Sequence, residues 1–199
     1  MLDGVKAADW ARVRQGAIVM GVVVGALWVI ELLDIVLHHS LAGLGIRPWT
    51  ASGLVGIVFA RLLQAGFAHL AANSLPLFVL GTTLWASDRR EFGVATAFGW
   101  VGSGLVAWLL TPPGYLVLGA SGVVFGWTAY LLVRGFLSRN AAHLAIGLVV
   151  AVGYGSLLLG VFPLKAGVSW QGHLGGAIGG VVAAWLVHRS GRMPGAPRR

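Results

Sequence analysis

The chain has 199 residues, of which 57% are hydrophobic and only 10% are charged, and it contains no cysteine. About a quarter of the residues in a soluble domain are charged, so this composition excludes a soluble enzyme, a disordered chain and any disulfide or thiolate site. The net charge of +8 would suggest nucleic acid in a soluble protein. In a membrane protein the positions of the charges set the orientation instead, and we expect no nucleic-acid partner.

Long uncharged stretches predict six membrane-spanning helices, because one span requires about 20 mostly apolar residues. The longest stretch, 92–133, is divided by a Thr-Pro-Pro-Gly sequence at 111–114 that is typical of a turn. The predicted spans are residues 15–37, 68–86, 92–110, 119–134, 141–161 and 170–188. Residues 1–14 then form a cytoplasmic N-terminal segment, and 15–188 form the membrane domain, whose first span is an uncleaved anchor. Residues 189–199 form a basic cytoplasmic tail, in which we expect 191–199 to be disordered.

The basic residues predict the orientation in the membrane, because cytoplasmic segments carry the excess of Lys and Arg. With both termini in the cytoplasm, eleven of the fourteen basic residues are cytoplasmic. The remaining three, Arg47, Arg61 and Lys165, are external. The sequence therefore predicts a multi-pass protein with both termini inside the cell.

The segment between the first two spans, residues 38–67, is too apolar for a solvated loop and too interrupted for a span. It contains Trp49, Ile57 and Phe59 among other apolar residues. An element that lies in the external membrane surface fits this pattern best.

Ser121 is the first polar residue that stands out, since polar side chains inside a membrane indicate function by default. It lies in Gly119-Ala120-Ser121-Gly122, at the predicted external start of the fourth span. Free N–H groups at a helix N-terminus favour an oxyanion, and a Gly-x-Ser-Gly element resembles half of a nucleophile elbow. A serine that only caps or packs a helix is the alternative.

His173 lies near the external start of the sixth span, at a depth similar to that of Ser121. A neutral histidine can take a proton from serine and return it to a leaving amine. Gly172, Gly176 and Gly180 recur every four residues, so that span 6 offers a bare face on which span 4 can approach closely. A histidine bonded only to a backbone carbonyl is the alternative.

His69 and Asn73 are four residues apart on one face of the second span, which also starts outside. Both side chains can donate hydrogen bonds, as an oxyanion hole requires. They could instead join helices, while a metal site is disfavoured because no third ligand is placed to complete it.

Together these motifs resemble the rhomboid intramembrane serine proteases, over about residues 15–188. GASG at 119–122, GHLGGAIGG at 172–180 and HLAAN at 69–73 occur on the expected spans. The resemblance implies an all-α, six-transmembrane-helix bundle of the small prokaryotic type, with a membrane-dipping first external loop. It also implies a bacterial plasma-membrane location and an active site that opens to the external side.

The resemblance implies that Ser121 is the nucleophile and His173 the general base of a dyad without an acidic member. His69, Asn73 and the Ser121 N–H would form the oxyanion hole, beside Gly119. Gly176 and Gly180 would hold span 6 against span 4, and span 5 with residues 162–168 would form the substrate gate. Substrates would be transmembrane segments of other proteins, and hydrolysis would require no cofactor and no metal.

Two departures from the family pattern concern the surroundings of the dyad. Phe125 stands where many members have a tyrosine that stacks on the histidine, and the Trp-Arg pair of the first loop is absent.

The leading alternative is a rhomboid-fold protein that binds transmembrane helices without cutting them. A small transporter is a weaker one, because no paired halves are visible. The sequence leaves the natural substrate and the oligomeric state open.

Overall fold

A computed structural model describes residues 2–164 and 167–189, which form seven α-helices. The helices are α1 (Leu2–Val36), α2 (Ala51–Phe59), α3 (Phe67–Ser87), α4 (Arg89–Leu110), α5 (Ser121–Ser138), α6 (Ala141–Tyr154) and α7 (Trp170–His188). Two short 3-10 helices, Ser40–Leu44 and Gly155–Val161, follow α1 and α6. The described residues contain no β-strand, only a single bridge between Ile46 and Val117, as the predicted all-α fold requires.

Helix α5 lies at the centre of the bundle, in contact with α3, α4, α6 and α7. Most of its side chains are buried, among them Trp127, Tyr130 and Leu131. Because these positions face protein rather than lipid, α5 can also hold the buried polar residues Thr128 and Arg134. The other long helices surround it, with α1 packed mainly on α3 and α7 on α4.

Four stretches of the described chain are long and apolar enough to cross a membrane: Asp9–Val36, Phe67–Ser87, Arg89–Leu110 and Ala141–Val161. They coincide with four of the six predicted spans, and the protein is an integral membrane protein. α5 and α7 coincide with the other two predicted spans but are not among these four stretches. α5 is enclosed by its neighbours, and α7 is rich in glycine. The full count of six spans stays a prediction.

The structure describes nearly all of the N-terminal segment but little of the C-terminal tail. Helix α1 begins at Leu2, so the predicted N-terminal segment 1–14 continues into the first span without a break. The predicted tail 189–199 lies outside the described residues except for Arg189.

The first loop contains α2, which packs against α4 through two indole hydrogen bonds. Trp100 Nε1 donates to the Ile57 carbonyl at 3.0 Å, and Trp108 Nε1 donates to the Thr50 carbonyl at 3.0 Å. Val58 of α2 points away from the bundle and is more than half exposed, at 57%. An apolar side chain in that position suits an element that lies in the membrane interface.

Glu91 departs from expectation, because the sequence 88–91 reads as a solvated cytoplasmic turn. Asp88 does cap α4, accepting hydrogen bonds from the Arg90 and Glu91 N–H groups. Glu91 itself is buried and pairs with the fully buried Arg134 of α5 at 3.0 Å. Only the packing of α4 on α5 reveals this, since the two residues are 43 positions apart.

Candidate active site

The loop before α5 presents Ser121 as the first residue of that helix. Gly119 has a φ of 116°, a left-handed conformation that side chains rarely adopt. A Cβ at this position would lie 2.5 Å from His69 Cε1, so the loop and His69 approach closely only because residue 119 is glycine. The N–H groups of the first helical turn lack partners within the helix, which leaves the Ser121 N–H free to donate to a ligand.

Ser121 and His173 are joined by a side-chain hydrogen bond, although they are 52 positions apart. The distance from Ser121 Oγ to His173 Nε2 is 2.9 Å, and His173 Nδ1 lies 3.0 Å from the Gly160 carbonyl oxygen. A carbonyl only accepts, so Nδ1 carries the proton and Nε2 of the neutral ring presents its lone pair to the serine hydroxyl. This is the arrangement that proton transfer from serine to histidine requires.

The partner of His173 Nδ1 is a backbone carbonyl and not a carboxylate. Asp34 of α1 accepts a hydrogen bond from the Leu41 N–H at 2.8 Å and lies 3.4 Å from His39. Its carboxylate therefore stabilises the turn after α1. Glu31 is buried one turn earlier in the same helix.

Phe125 covers the imidazole of His173 with its ring. The ring centroids are 4.0 Å apart and the ring planes differ by 8°, which is a parallel stack. Phe125 lies one turn after Ser121 in α5, so one helix carries both the hydroxyl and the ring that restrains its partner. The stack restricts rotation of the imidazole without contributing a hydrogen bond.

Glycines bring α5 and α7 close enough for this contact between Ser121 and His173. A Cβ on Gly176 would overlap the carbonyl of Gly122, and a Cβ on Gly180 would overlap the carbonyl of Gly126. The backbones therefore touch along the seam below the dyad, as a face of small residues permits.

His69 lies on the side of α3 that faces the loop before α5, and Asn73 follows one helical turn later. His69 Nδ1 accepts a hydrogen bond from the Ala65 N–H at 3.2 Å, so the proton of the neutral ring is on Nε2, on the side of Gly119. Asn73 is buried and its Nδ2 donates to Gln64 Oε1 at 2.9 Å, which leaves its second N–H for another acceptor. His69 is thus a donor held beside the loop that carries Ser121, and Asn73 is a second donor one turn further along α3.

Arg61 and Gln64 are site residues that the sequence reasoning missed, since Arg61 was assigned only as an external charge. Arg61 is 2% exposed, and its Nη1 donates to the Gly119 carbonyl at 2.9 Å. Burial lowers the pKa of its guanidinium to about 10, which leaves it charged at neutral pH. The one signal for it in the sequence is a lone arginine inside an apolar stretch.

Comparison with known proteins identifies the family of the chain. The family model described as Rhomboid domain matches residues 51–190, which is most of the chain. The chain belongs to the rhomboid family. The matched region includes every residue of the dyad, the seam and the two donors described above, and it confirms the resemblance drawn from the sequence motifs.

Several relatives of this rhomboid are bacterial. An uncharacterized protein of Mycobacterium tuberculosis is 44% identical over 184 residues, which cover 88% of this chain and 77% of that protein. An uncharacterized protein of Mycobacterium leprae is 41% identical over 184 residues, covering 88% and 73%. Rhomboid protease GluP of Bacillus subtilis is 30% identical over 131 residues, covering 62% of this chain and 24% of GluP.

Proposed function

We propose that this protein is an intramembrane serine endopeptidase that cleaves transmembrane segments of other membrane proteins. The observation that carries the proposal is the 2.9 Å contact between Ser121 Oγ and His173 Nε2, in a ring whose other nitrogen donates to the Gly160 carbonyl. Membership of the rhomboid family and the protease name of GluP support the same reaction.

In the proposed reaction, Ser121 Oγ attacks the carbonyl carbon of the scissile peptide while His173 Nε2 takes the hydroxyl proton. The carbonyl oxygen becomes an oxyanion that accepts hydrogen bonds from the Ser121 N–H, His69 Nε2 and Asn73 Nδ2. The C–N bond then breaks as the imidazolium returns the proton to the amine. Water, deprotonated by His173, hydrolyses the acyl-serine and regenerates the hydroxyl.

The proposed topology has six spans, both termini in the cytoplasm of a bacterial cell, and the dyad near the external face. Water reaches a shallow site from that side. The substrate helix must unwind locally, because its carbonyls are hydrogen-bonded within the helix. Gly or Pro near the cleavage site therefore favours cleavage, and the lipid bilayer is the medium of the reaction.

The first experiment is labelling of the purified protein in detergent with a fluorophosphonate probe, which requires no knowledge of the substrate. We expect the wild type to be labelled, and both Ser121→Ala and His173→Asn to lose labelling because the nucleophile or its base is gone. The matched controls are Ser40→Ala and His38→Asn in the exposed part of the first loop. Asn is chosen because His38 has a φ of 54°, which Asn tolerates.

A second arm tests the donors around the oxyanion. Asn73→Ala removes one of them, and loss of one such donor slows catalysis by about 10²–10³-fold. We expect the rate of labelling to fall in that range while the protein stays folded. Equal rates for Asn73→Ala and wild type would remove Asn73 from the oxyanion hole. Absence of labelling in folded wild type would favour the alternative of a rhomboid that binds helices without cutting them.

A further inference from the structure

Consecutive residues of the first loop hold both peptide groups of Gly119. The Ala60 carbonyl accepts a hydrogen bond from the Gly119 N–H at 2.9 Å. Arg61 Nη1 donates to the Gly119 carbonyl, also at 2.9 Å. A peptide group is planar and trans, so fixing the carbonyl also fixes the N–H on the opposite side of the same plane. The conformation of the loop that leads into Ser121 is thus set from outside the loop.

The guanidinium of Arg61 also lies close to the residue that follows Ser121. A Cβ added to Gly122 would lie 3.2 Å from Arg61 Nη1. One buried cation therefore bonds the residue two positions before the serine and leaves no room for a side chain directly after it. A charge at this distance acts through protein, where its field is only weakly screened, and not through water.

Arg61 carries this charge without a counter-ion among the described residues. The ion pairs found there are His39–Asp34, Arg134–Glu91 and His188–Glu91. Arg134 is also buried and its Nε likewise has no partner, but its charge is paired with Glu91. Arg61 has no such pair, and its Nε and Nη2 find no hydrogen-bond partner in the described part of the chain. An unpaired buried cation destabilises a fold, so packing does not account for an arginine at this position.

We infer that Arg61 is a positioning residue for the reaction: through the Gly119 carbonyl it orients the loop that carries Ser121, and its charge favours the oxyanion. This inference rests on the proposed function and adds a residue to it. The hydrogen bond keeps the Gly119 carbonyl turned toward Arg61, so that no carbonyl dipole opposes the developing negative charge. Hydrogen bonding to a cation also polarises the peptide group between Gly119 and Ala120, which strengthens the Ala120 N–H as a donor directly before Ser121.

The test compares Arg61→Met, Arg61→Gln and Arg61→Lys by saturation kinetics of fluorophosphonate labelling and by thermal unfolding in detergent. Arg47→Gln is the matched control, because Arg47 lies in the same loop with an exposed side chain. We expect Arg61→Met to lower the maximal labelling rate by about tenfold or more without changing the half-saturating probe concentration. Its unfolding midpoint should stay at or above that of the wild type, since a buried unpaired charge has been removed.

The two conservative variants separate charge from shape. Arg61→Lys keeps a cation and one donor, and we expect it to recover part of the labelling rate, whereas the neutral Arg61→Gln should remain near Arg61→Met. The inference is wrong if Arg61→Met is labelled at the wild-type rate, if its rate and its unfolding midpoint fall together, or if Arg61→Lys is no faster than Arg61→Gln. Failure of wild type and Arg47→Gln to label would instead contradict the proposed function itself.

Discussion

Three different groups hold the imidazole of His173. The Gly160 carbonyl accepts from Nδ1 and so fixes the tautomer, the Ser121 hydroxyl is hydrogen-bonded to Nε2, and the ring of Phe125 stacks on one face. Residue 160 must be small for this to work, because a Cβ there would lie 2.8 Å from Phe125 Cζ. The geometry of the Ser121–His173 pair therefore depends on apolar and backbone contacts as much as on the two side chains themselves.

Phe125→Ala tests the stacking contact. The substitution leaves both members of the dyad intact but lets the imidazole rotate, and misplacement of a reacting group by about 1 Å can cost about 10²-fold in rate. We expect fluorophosphonate labelling to slow by about 10- to 100-fold at unchanged probe affinity. Phe136→Ala is the control, because Phe136 lies on the same helix and is 73% exposed. Equal effects of the two substitutions would show that the stack has no part in positioning His173.

At the scale of elements, the seam between α5 and α7 is what brings two distant helices into register. The carbonyls of Gly122 and Gly126 face Gly176 and Gly180, with no side chain between the backbones. The same glycines take the place of bulky apolar side chains on this face of α7, which coincides with the span predicted at 170–188. This face of α7 packs directly on the backbone of α5, so it needs no large apolar side chains of the kind that a lipid-facing surface carries.

Gly180→Ala tests the seam away from the reacting groups. The added methyl would overlap the Gly126 carbonyl, and such overpacking typically costs about 1–3 kcal/mol. We therefore expect a lower unfolding midpoint in detergent and slower labelling of Ser121, because the helices must separate. Gly25→Ala in α1 is the control, since nothing lies within 4 Å of its added Cβ. That change should stabilise the helix by about 0.5–1 kcal/mol, and a similar loss in both variants would contradict the role of the seam.

At the scale of the whole molecule, the polar groups separate into two sets at opposite ends of the bundle. Ser121, His173 and Arg61 occupy one end, and the Glu91–Arg134 pair links α4 to α5 near the other. The proposed topology assigns the first end to the external face and the second to the cytoplasm.

Cysteine labelling tests this topology cleanly, because the chain has no cysteine of its own. We expect a membrane-impermeant maleimide added to intact cells to modify Tyr115→Cys, which precedes α5, but not Arg90→Cys at the start of α4. Both positions are exposed, so their accessibility differs only by the side of the membrane. After permeabilisation both should react. The reverse pattern in intact cells would invert the proposed orientation, and labelling of both would contradict it.

Much of the fold and site could be predicted from the sequence because those signals are local. Span length, the turn at 111–114 and the polar residues Ser121, His173, His69 and Asn73 are each visible within a short window. A helix in lipid must satisfy its own backbone, which makes composition and spacing strong indicators. The roles of these residues in catalysis remain predictions that the labelling experiments address.

Residue types and spacing along the chain were enough to indicate the membrane class, the helical architecture, the rhomboid family and the Ser–His pair as a candidate. The packing of the helices was needed to show that the Gly160 carbonyl holds His173 Nδ1, that Arg61 is buried beside Gly119, and that Glu91 is paired and not solvated. The physical reason is the distance along the chain over which each kind of interaction acts. Composition and periodicity report on a residue and its neighbours within a helix turn or two, whereas burial and pairing of a charge depend on side chains that lie tens of positions away and meet only when the helices pack.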